Sequence, residues 1–163
     1  MEEESLKIEE MSRQSVPFIV SILGVAVMLS LSAVGGTVGA VKSSSSAAMV
    51  ANREANILAK AYLPVLLSSA CFMYSMILCM LALGRIDANI TIKDAGMVVA
   101  GCLIYGFTAL FTGLGIGEAN KRMIIYLSQN KQLFISFLIL NSTLELPAVF
   151  SLICSMVLIF QKS

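Results

Sequence analysis

The carboxyl group of Glu145 is the group in this sequence best placed to do chemistry. It is the only charged side chain in residues 132–161, which are otherwise uncharged and mostly apolar. That segment is longer than the roughly twenty residues that a helix needs to cross a bilayer. A lone carboxyl at membrane depth is costly to keep there and usually marks an ion path or a proton relay. Glu145 is therefore the candidate functional residue.

The composition indicates a membrane protein. Hydrophobic residues make up 58% of the 163 residues and charged residues only 13%. Histidine is absent, which excludes imidazole metal sites and imidazole proton shuttles. The net charge of +1 gives no reason to expect a nucleic-acid partner. We expect the lipid bilayer to be the surroundings of this chain, with no metal and no cofactor.

Four nearly uncharged segments are long enough to span a membrane. They cover residues 16–41, 61–84, 95–117 and 132–161. The predicted fold is an all-α membrane protein with four transmembrane helices in two hairpins, 16–84 and 95–161. Residues 85–94 form a short loop between the hairpins, and residues 1–15 form a short acidic N-terminal arm, with Pro17 in the first turn of helix 1. This acidic start differs from the basic n-region of a secretory signal.

The basic residues predict the orientation of the four spans. The two loops within the hairpins contain most of them: Lys42, Arg53, Lys60, Lys121, Arg122 and Lys131. In the loop 85–94, Arg85 and Lys93 are offset by Asp87 and Asp94. Because cytoplasmic loops carry an excess of lysine and arginine, loops 1–2 and 3–4 are predicted to be cytosolic. The loop 85–94 and both termini are then lumenal.

The two hairpins resemble each other in sequence. A shift of 79 positions superimposes identical residues where helices 1 and 3 run into a cationic loop: Gly36, Ala40 and Lys42 on Gly115, Ala119 and Lys121. This pattern is typical of duplicated hairpins that share one orientation. The second hairpin contains the intramembrane acid, whereas helix 2 has no carboxyl group between Lys60 and Arg85.

Helices 1 and 3 contain stripes of small residues, which let helix backbones approach closely. Their glycines recur near three- and four-residue steps: Gly24, Gly35 and Gly39 in helix 1, and Gly106, Gly113 and Gly117 in helix 3. Two arrangements are compatible with these stripes. The two helices pack as an ordinary pair within one monomer, or helices from many copies form a tightly packed inner ring surrounded by helices 2 and 4.

Several landmarks then occur in order along the chain. Helix 1 ends in a glycine-rich run that leads to Lys-Ser, Gly35-Gly-Thr-Val-Gly-Ala-Val-Lys-Ser43. Arg53 and Lys60 follow before Pro64 opens helix 2, and Tyr74 lies ten residues after that proline. Helix 3 ends in Gly117-Glu-Ala-Asn-Lys-Arg122. Helix 4 opens with Leu133-Phe134 and reaches Glu145 eleven residues after the phenylalanine.

With these landmarks the chain resembles the proteolipid (c) subunits of V-type ATPases, the 16 kDa four-helix type whose copies form a rotor ring. The resemblance covers residues 24–163. It implies that Glu145 carries a proton during ATP-driven rotation, which acidifies a compartment. It also implies that Tyr74 lies near the carboxyl. Desolvation disfavours a charged carboxyl, so Glu145 is expected to hold its proton while it faces lipid.

The resemblance also implies the partners. These are further c-type subunits in a homo-oligomeric or mixed ring, a stator (a) subunit with an arginine that lets Glu145 ionise, the d subunit and the central stalk. Arg53, Lys60, Lys121 and Arg122 are candidate stalk contacts, although topogenic charge in solvated loops explains them equally well. ATP is hydrolysed by other subunits, so the chain is not an enzyme on its own. The expected location is a vacuolar or other endomembrane.

Two polar residues one turn before the acid could also reach its carboxyl group. Asn141 and Ser142 precede Glu145 on its own side of helix 4. A hydrogen bond to its own helix backbone is the alternative role for Ser142.

Three alternative functions stay open at this point. A sodium-coupled rotary ring would need several oxygen ligands around the carboxylate, but the relevant positions on helix 2 are Ala70 and Cys71, which favours protons. A small four-helix cation or drug antiporter could use a single membrane carboxylate. A structural tetraspan protein would tolerate loss of that carboxylate.

Overall fold

The computed structural model describes residues 2–51, 62–87 and 90–161, and within these the chain is helical with no strand. The four helices are α1 (Glu2–Val50), α2 (Leu63–Leu83), α3 (Ile92–Gln129) and α4 (Phe134–Phe160). A short 3-10 turn, Lys131–Leu133, precedes α4. All four helices are long and apolar enough to cross a membrane. The chain is therefore an integral, multipass all-α membrane protein, which confirms the predicted fold class.

Helices α1 and α3 extend beyond the predicted spans. They were expected to end near residues 41 and 117, but α1 continues to Val50 and α3 to Gln129. Lys42, Lys121 and Arg122, which were predicted to lie in loops, are therefore on helices. The run Ser43-Ser-Ser-Ser46 is helical as well, and each serine except Ser43 donates a hydrogen bond to a carbonyl one turn earlier.

A cluster of buried apolar side chains at one end of the bundle explains these extensions. Past the ends of the predicted spans, buried apolar side chains of α1 and α3 pack against one side chain from the start of α4: Ala47, Val50, Ile124, Leu127 and Phe137. Their spacing of three residues along α1 and α3 places each set on one side of its helix. Hydropathy falls where charged residues begin, but the helices continue because this apolar contact continues.

The N-terminal segment also differs from the expected arrangement. The backbone of α1 is helical from Glu2, so Pro17 lies inside the helix rather than in its first turn. Next to the proline, the Ser21 hydroxyl donates a hydrogen bond of 2.8 Å to the Pro17 carbonyl.

Hydrogen bonds between helices show how the chain runs up and down. Ser32 of α1 donates to Ser75 of α2 at 2.8 Å, and Ser68 of α2 donates to the Gly36 carbonyl of α1 at 3.0 Å. Because the residue number rises along α1 while it falls along α2, these two helices are antiparallel. By the same reasoning Ser155 of α4, which bonds to the Gly101 carbonyl of α3 at 2.8 Å, belongs to an antiparallel α3–α4 pair together with Asn141 and Asn120.

Helices α1 and α3 run parallel and form the most extensive interface of the fold. A Cβ atom added to Gly39 would overlap the Gly113 carbonyl and the Ser68 hydroxyl, and one added to Gly113 would overlap the backbone of Gly35. The backbones therefore touch where side chains would normally separate them. All the glycines predicted to serve helix packing have the other helix of this pair within 4 Å of the added Cβ: Gly24, Gly35, Gly39, Gly106, Gly113 and Gly117. The stripes thus pack as a pair within the monomer.

Helices α2 and α4 lie on the outside of this pair. In the most apolar stretch of α3, 44% of the residues are buried within the chain. In the most apolar stretch of α4, only 22% are buried. The central core contains Met28, Leu78, Cys102 and Tyr105, with contributions from α4 such as Ala148. Side chains on α4 therefore lie closer to the periphery of the bundle than those on α1 or α3.

We expect a single methyl group to destabilise the α1–α3 interface. In Gly39→Ala the new Cβ overlaps the Gly113 carbonyl, so the helices must separate, although alanine favours an isolated helix. Overpacking of this kind costs about 1–3 kcal/mol of unfolding free energy. The measurement is a denaturation curve of the purified protein in mixed micelles.

Gly96→Ala is the matched control for this substitution. Gly96 is exposed on α3 and a Cβ added there has no atom within 4 Å, so its methyl group should leave the curve unchanged or slightly raise its midpoint. Equal midpoints for the Gly39 and Gly96 variants would contradict the close contact between α1 and α3.

Candidate functional site

The carboxyl group of Glu145 is joined to a neighbouring helix by one hydrogen bond. Glu145 lies near the middle of α4, and the Tyr74 hydroxyl of α2 donates to its Oε1 at 3.0 Å. Both side chains are half-buried. The structure therefore brings together two of the residues that the sequence singled out, and this contact joins the two outer helices.

The carboxyl lies at the edge of the core rather than inside it. Ala148, one turn further along α4, is buried in the central cluster. Two further titratable groups lie near enough to interact electrostatically with Glu145, the thiol of Cys71 on α2 and the hydroxyl of Tyr105 on α3. Among the side chains of residues 15–51, 62–87, 90–130 and 132–161, the one ion pair is Lys42–Glu118, so no cation of these residues binds Glu145. The carboxyl thus has a neutral donor on one side and an open side away from the core.

Two buried hydrogen bonds fix the part of α2 that carries Tyr74. Tyr105 of α3 is fully buried and donates to the Cys71 carbonyl at 2.6 Å. Ser75, the residue after Tyr74, accepts a hydrogen bond from Ser32 of α1. Because these bonds attach α2 to α3 and α1 within one turn of Tyr74, its hydroxyl is held at a defined height beside Glu145.

Asn141 is not hydrogen-bonded to the carboxyl, which differs from the expectation from its spacing. Its amide is fully buried and pairs with Asn120 of α3 in both directions. The Asn120 Nδ2 donates to the Asn141 Oδ1 at 2.6 Å, and the Asn141 Nδ2 donates to the Asn120 Oδ1 at 3.0 Å. Each Nδ2 also donates to a carbonyl one turn earlier in its own helix, that of Ile116 or Phe137. The physical reason is that α4 turns Asn141 towards α3 and Glu145 towards α2.

The other polar residues beside the acid do not bind it either. Ser142 is exposed, and none of the hydrogen bonds among the described residues joins it to Glu145. Thr143 donates to the Ile139 carbonyl of its own helix at 2.9 Å. Pro147 lies inside α4, where it cannot donate to the Thr143 carbonyl, yet the helix continues on both sides of it. Glu145 therefore lies within the helix turn, residues 143–147, that lacks this backbone hydrogen bond.

The candidate stalk contacts lie at one end of the bundle or outside the described residues. Arg53 and Lys60 belong to residues 52–61, about which nothing is described. Lys121 and Arg122 are exposed on the extension of α3. Near them the Lys42 Nζ forms an ion pair of 2.9 Å with Glu118, which joins α1 to α3.

Two residues important for the site were missed from the sequence. Asn120 follows the last glycine of the stripe in α3 by three residues, and Tyr105 precedes Gly106 by one. A buried polar side chain in lipid needs a partner, so a polar residue that extends a packing stripe was the available signal for Asn120. No comparable signal identified the carbonyl that Tyr105 binds, because it belongs to the backbone of α2.

The arrangement is suited to holding and releasing a proton at one oxygen pair. The carboxyl group has one neutral donor and no bound cation among the described side chains, so it takes part in no ion pair that would favour its charged form. Among the described residues no group of three or more carboxylate or thiol side chains is placed to hold a metal ion.

The chain was compared with known proteins. Residues 99–158, which comprise most of α3 and α4 with Glu145, match the family model for the C subunit of ATP synthase. The 16 kDa proteolipid (c) subunit of the V-type proton ATPase of Ovis aries is 20% identical over 138 residues, which cover 85% of this chain and 89% of that protein. The V-type proton ATPase proteolipid subunit of Dictyostelium discoideum is 22% identical over 138 residues, which cover 83% of this chain and 70% of that protein.

These similarities span both hairpins at low identity. They include the segment that carries Glu145 and Pro147, and the predicted resemblance is confirmed. The chain is similar to the proteolipid (c) subunits of V-type proton ATPases over most of its length, and its second hairpin matches the model for the C subunit of ATP synthase.

Proposed function

We propose that this protein is a proton-carrying subunit of the rotor ring in the membrane sector of a V-type ATPase, with Glu145 as the carrier. The observation that carries the proposal is the half-buried Glu145 carboxyl on an outer helix, bonded to the neutral Tyr74 hydroxyl and to no cation of the described residues. A carrier needs this combination, because it must be protonated in lipid and able to ionise when a charge is brought to it.

The proton transfer follows from the position of α4. Facing lipid, Glu145 holds its proton because the ionised form is poorly solvated there. Rotation brings it to the stator subunit, whose arginine and aqueous access stabilise the carboxylate, and the proton leaves. The Tyr74 hydroxyl supports the ionised form by its hydrogen bond and keeps the side chain against α2. Reprotonation from the other side of the membrane completes the transfer. ATP is hydrolysed in other subunits.

Protons are favoured over sodium as the transported ion. A sodium site would need several oxygen ligands around the carboxylate, because hard cations prefer oxygen ligands and high coordination numbers. Asn141 is bonded to Asn120, and Thr143 is bonded to its own helix. Tyr74 is therefore the one side chain among the described residues that offers an oxygen to Glu145 through a hydrogen bond.

The fold suits assembly in a homo-oligomeric or mixed ring of c-type subunits. The tightly packed α1–α3 pair would form the inner layer, and α2 and α4 would present Glu145 to lipid and to the stator (a) subunit. The hairpins 16–84 and 95–161 would lie with both termini lumenal and with loops 1–2 and 3–4 cytosolic. There Lys121, Arg122, Arg53 and Lys60 would meet the d subunit and the central stalk. The location would be a vacuolar or other endomembrane.

Glu145→Gln should abolish proton transport. Glutamine has nearly the same shape and can still accept a hydrogen bond from Tyr74, but it cannot exchange a proton. We expect carbodiimide labelling of the α4 peptide at near-neutral pH to disappear, and ATP-driven acidification of vesicles to fall to background. Peptide mass spectrometry and a vesicle pH indicator provide the two measurements.

Glu118→Gln is the control for this substitution. Glu118 is an exposed carboxyl bound to Lys42 outside the site, so its loss should leave the labelling of Glu145 intact. Undiminished acidification in the Glu145 variant, with assembly into membranes verified, would exclude Glu145 as the carrier.

Tyr74→Phe should change the pH range over which Glu145 is labelled. The phenylalanine keeps the ring but removes the donor to Oε1. Hydrogen bonds to charged groups are worth about 1.5–3 kcal/mol, and a half-buried site realises part of this. Because the ionised form loses a donor, the protonated form should persist to higher pH, which moves the midpoint of labelling up by about one pH unit.

Tyr126→Phe controls for the removal of a tyrosine hydroxyl as such. Tyr126 is exposed on the extension of α3, far from the carboxyl in the chain, and its variant should keep the parent midpoint. A Tyr74→Phe midpoint equal to that of the parent would show that the hydrogen bond does not influence the protonation of Glu145.

A further inference from the structure

We infer that the reciprocal Asn120–Asn141 amide pair positions Glu145 against Tyr74 by fixing the rotation and register of α4 on α3. The inference rests on the proposed function, because it assigns a role toward the carboxyl that carries the proton. Neither asparagine is hydrogen-bonded to that carboxyl, so both are positioning residues.

The geometry of the pair makes it a directional contact. Both amides are fully buried, and the oxygen of each accepts from the nitrogen of the other at 2.6 and 3.0 Å. The second N–H of each amide donates a hydrogen bond to a backbone carbonyl of its own helix. A slide or rotation of α4 would break both reciprocal bonds at once and leave two buried amides unpaired, which is costly in a medium without water. Apolar side chains at this contact would tolerate such a movement.

The pair lies close to the carboxyl along the helix. Asn141 precedes Glu145 by four residues, about 6 Å along the helix axis. The other side-chain hydrogen bond between α4 and α3 in the described residues is that of Ser155 to the Gly101 carbonyl, ten residues after the acid. The turn that contains Pro147 lies between these two contacts and lacks a backbone hydrogen bond. The amide pair is therefore the nearest polar restraint on the direction in which Glu145 points.

The restraint is independent of the state of the proton carrier. Neutral amides do not titrate, so the pair holds α4 in place whether Glu145 is protonated or ionised. The titratable groups near enough to interact electrostatically with Glu145 are Tyr74 and Cys71 from α2 and Tyr105 from α3, and the described side chains of α1 form no ion pair with it. Of these groups, only Tyr74 is bonded to the carboxyl, and the position of α4 decides whether that bond forms.

The test is a double-mutant cycle between the amide pair and Tyr74. The pH midpoint of carbodiimide labelling at Glu145 is measured in native membranes for the parent, Tyr74→Phe, Asn120→Leu with Asn141→Leu, and all three substitutions together. The double leucine variant removes both amides, so neither is left unpaired. If the pair aligns Glu145 with Tyr74, the upward shift of about one pH unit caused by Tyr74→Phe should fall to less than about half in the double leucine background. A full shift in that background would overturn the inference.

Two further variants keep the result decisive. Ser155→Ala removes the other hydrogen bond between the same helices, and in that background Tyr74→Phe should retain its full shift. An equal loss of the shift there would attribute the effect to general loosening of α4 and overturn the inference. If the double leucine variant does not reach the membrane, Asn120→Ser with Asn141→Ser replaces it, because each serine can bond to its own helix backbone.

The same experiment separates this inference from the proposed function. A parent protein whose Glu145 is not labelled at any pH would overturn the proposed function, and the inference with it. A labelled parent with additive shifts would overturn the inference alone.

Discussion

The close approach of the α1 and α3 backbones determines the rest of this structure. Gly35, Gly39 and Gly113 leave no room for a Cβ atom between the two helices. With these two helices in contact, α2 and α4 must pack on the outside of the pair, where a smaller part of each is buried. Glu145 of α4 is half-buried at the edge of the bundle, whereas Asn141 of the same helix is fully buried against α3.

The absence of water in the membrane accounts for the polar contacts that join the helices. Van der Waals packing and hydrogen bonds, rather than a hydrophobic driving force, associate helices in lipid. In this chain each helix of the bundle is bonded to another through serine, tyrosine or asparagine side chains that reach a backbone carbonyl or a matching side chain. These contacts fix the helices at defined heights. Such precision matters because a single bond of 3.0 Å links Glu145 to its donor.

The sequence predicted the parts of the structure that depend on residue type and local spacing. The four spans, the glycine stripes and the proximity of Tyr74 to Glu145 follow from hydropathy, from steps of three and four residues and from a family resemblance. Helix ends were predicted less well, since charged residues such as Lys42 were assigned to loops. The helices continue because Val50 and Ile124 still find apolar neighbours, and these contacts come from residues far apart in sequence. The partner of Asn141 was not predicted for the same reason. The rotation of α4 on α3, which depends on residues far apart in sequence, decides whether Asn141 faces Glu145 or Asn120.

The restricted surroundings of Glu145 fit the requirements of a rotating carrier. A permanent cation within the chain would hold the carboxyl ionised throughout a turn, and a fully apolar pocket would hold it protonated. The described residues provide an intermediate case, with a neutral hydroxyl on one side and an open side away from the core. The balance between the two protonation states is then left to what the carboxyl meets outside the chain. The chain itself positions the carboxyl through the bonds that anchor α2 near Tyr74 and α4 near Asn141, and in the proposed function the stator would bring the charge. In the function that we propose, this division would let the protein present the same carboxyl to lipid and to a stator without changing its fold.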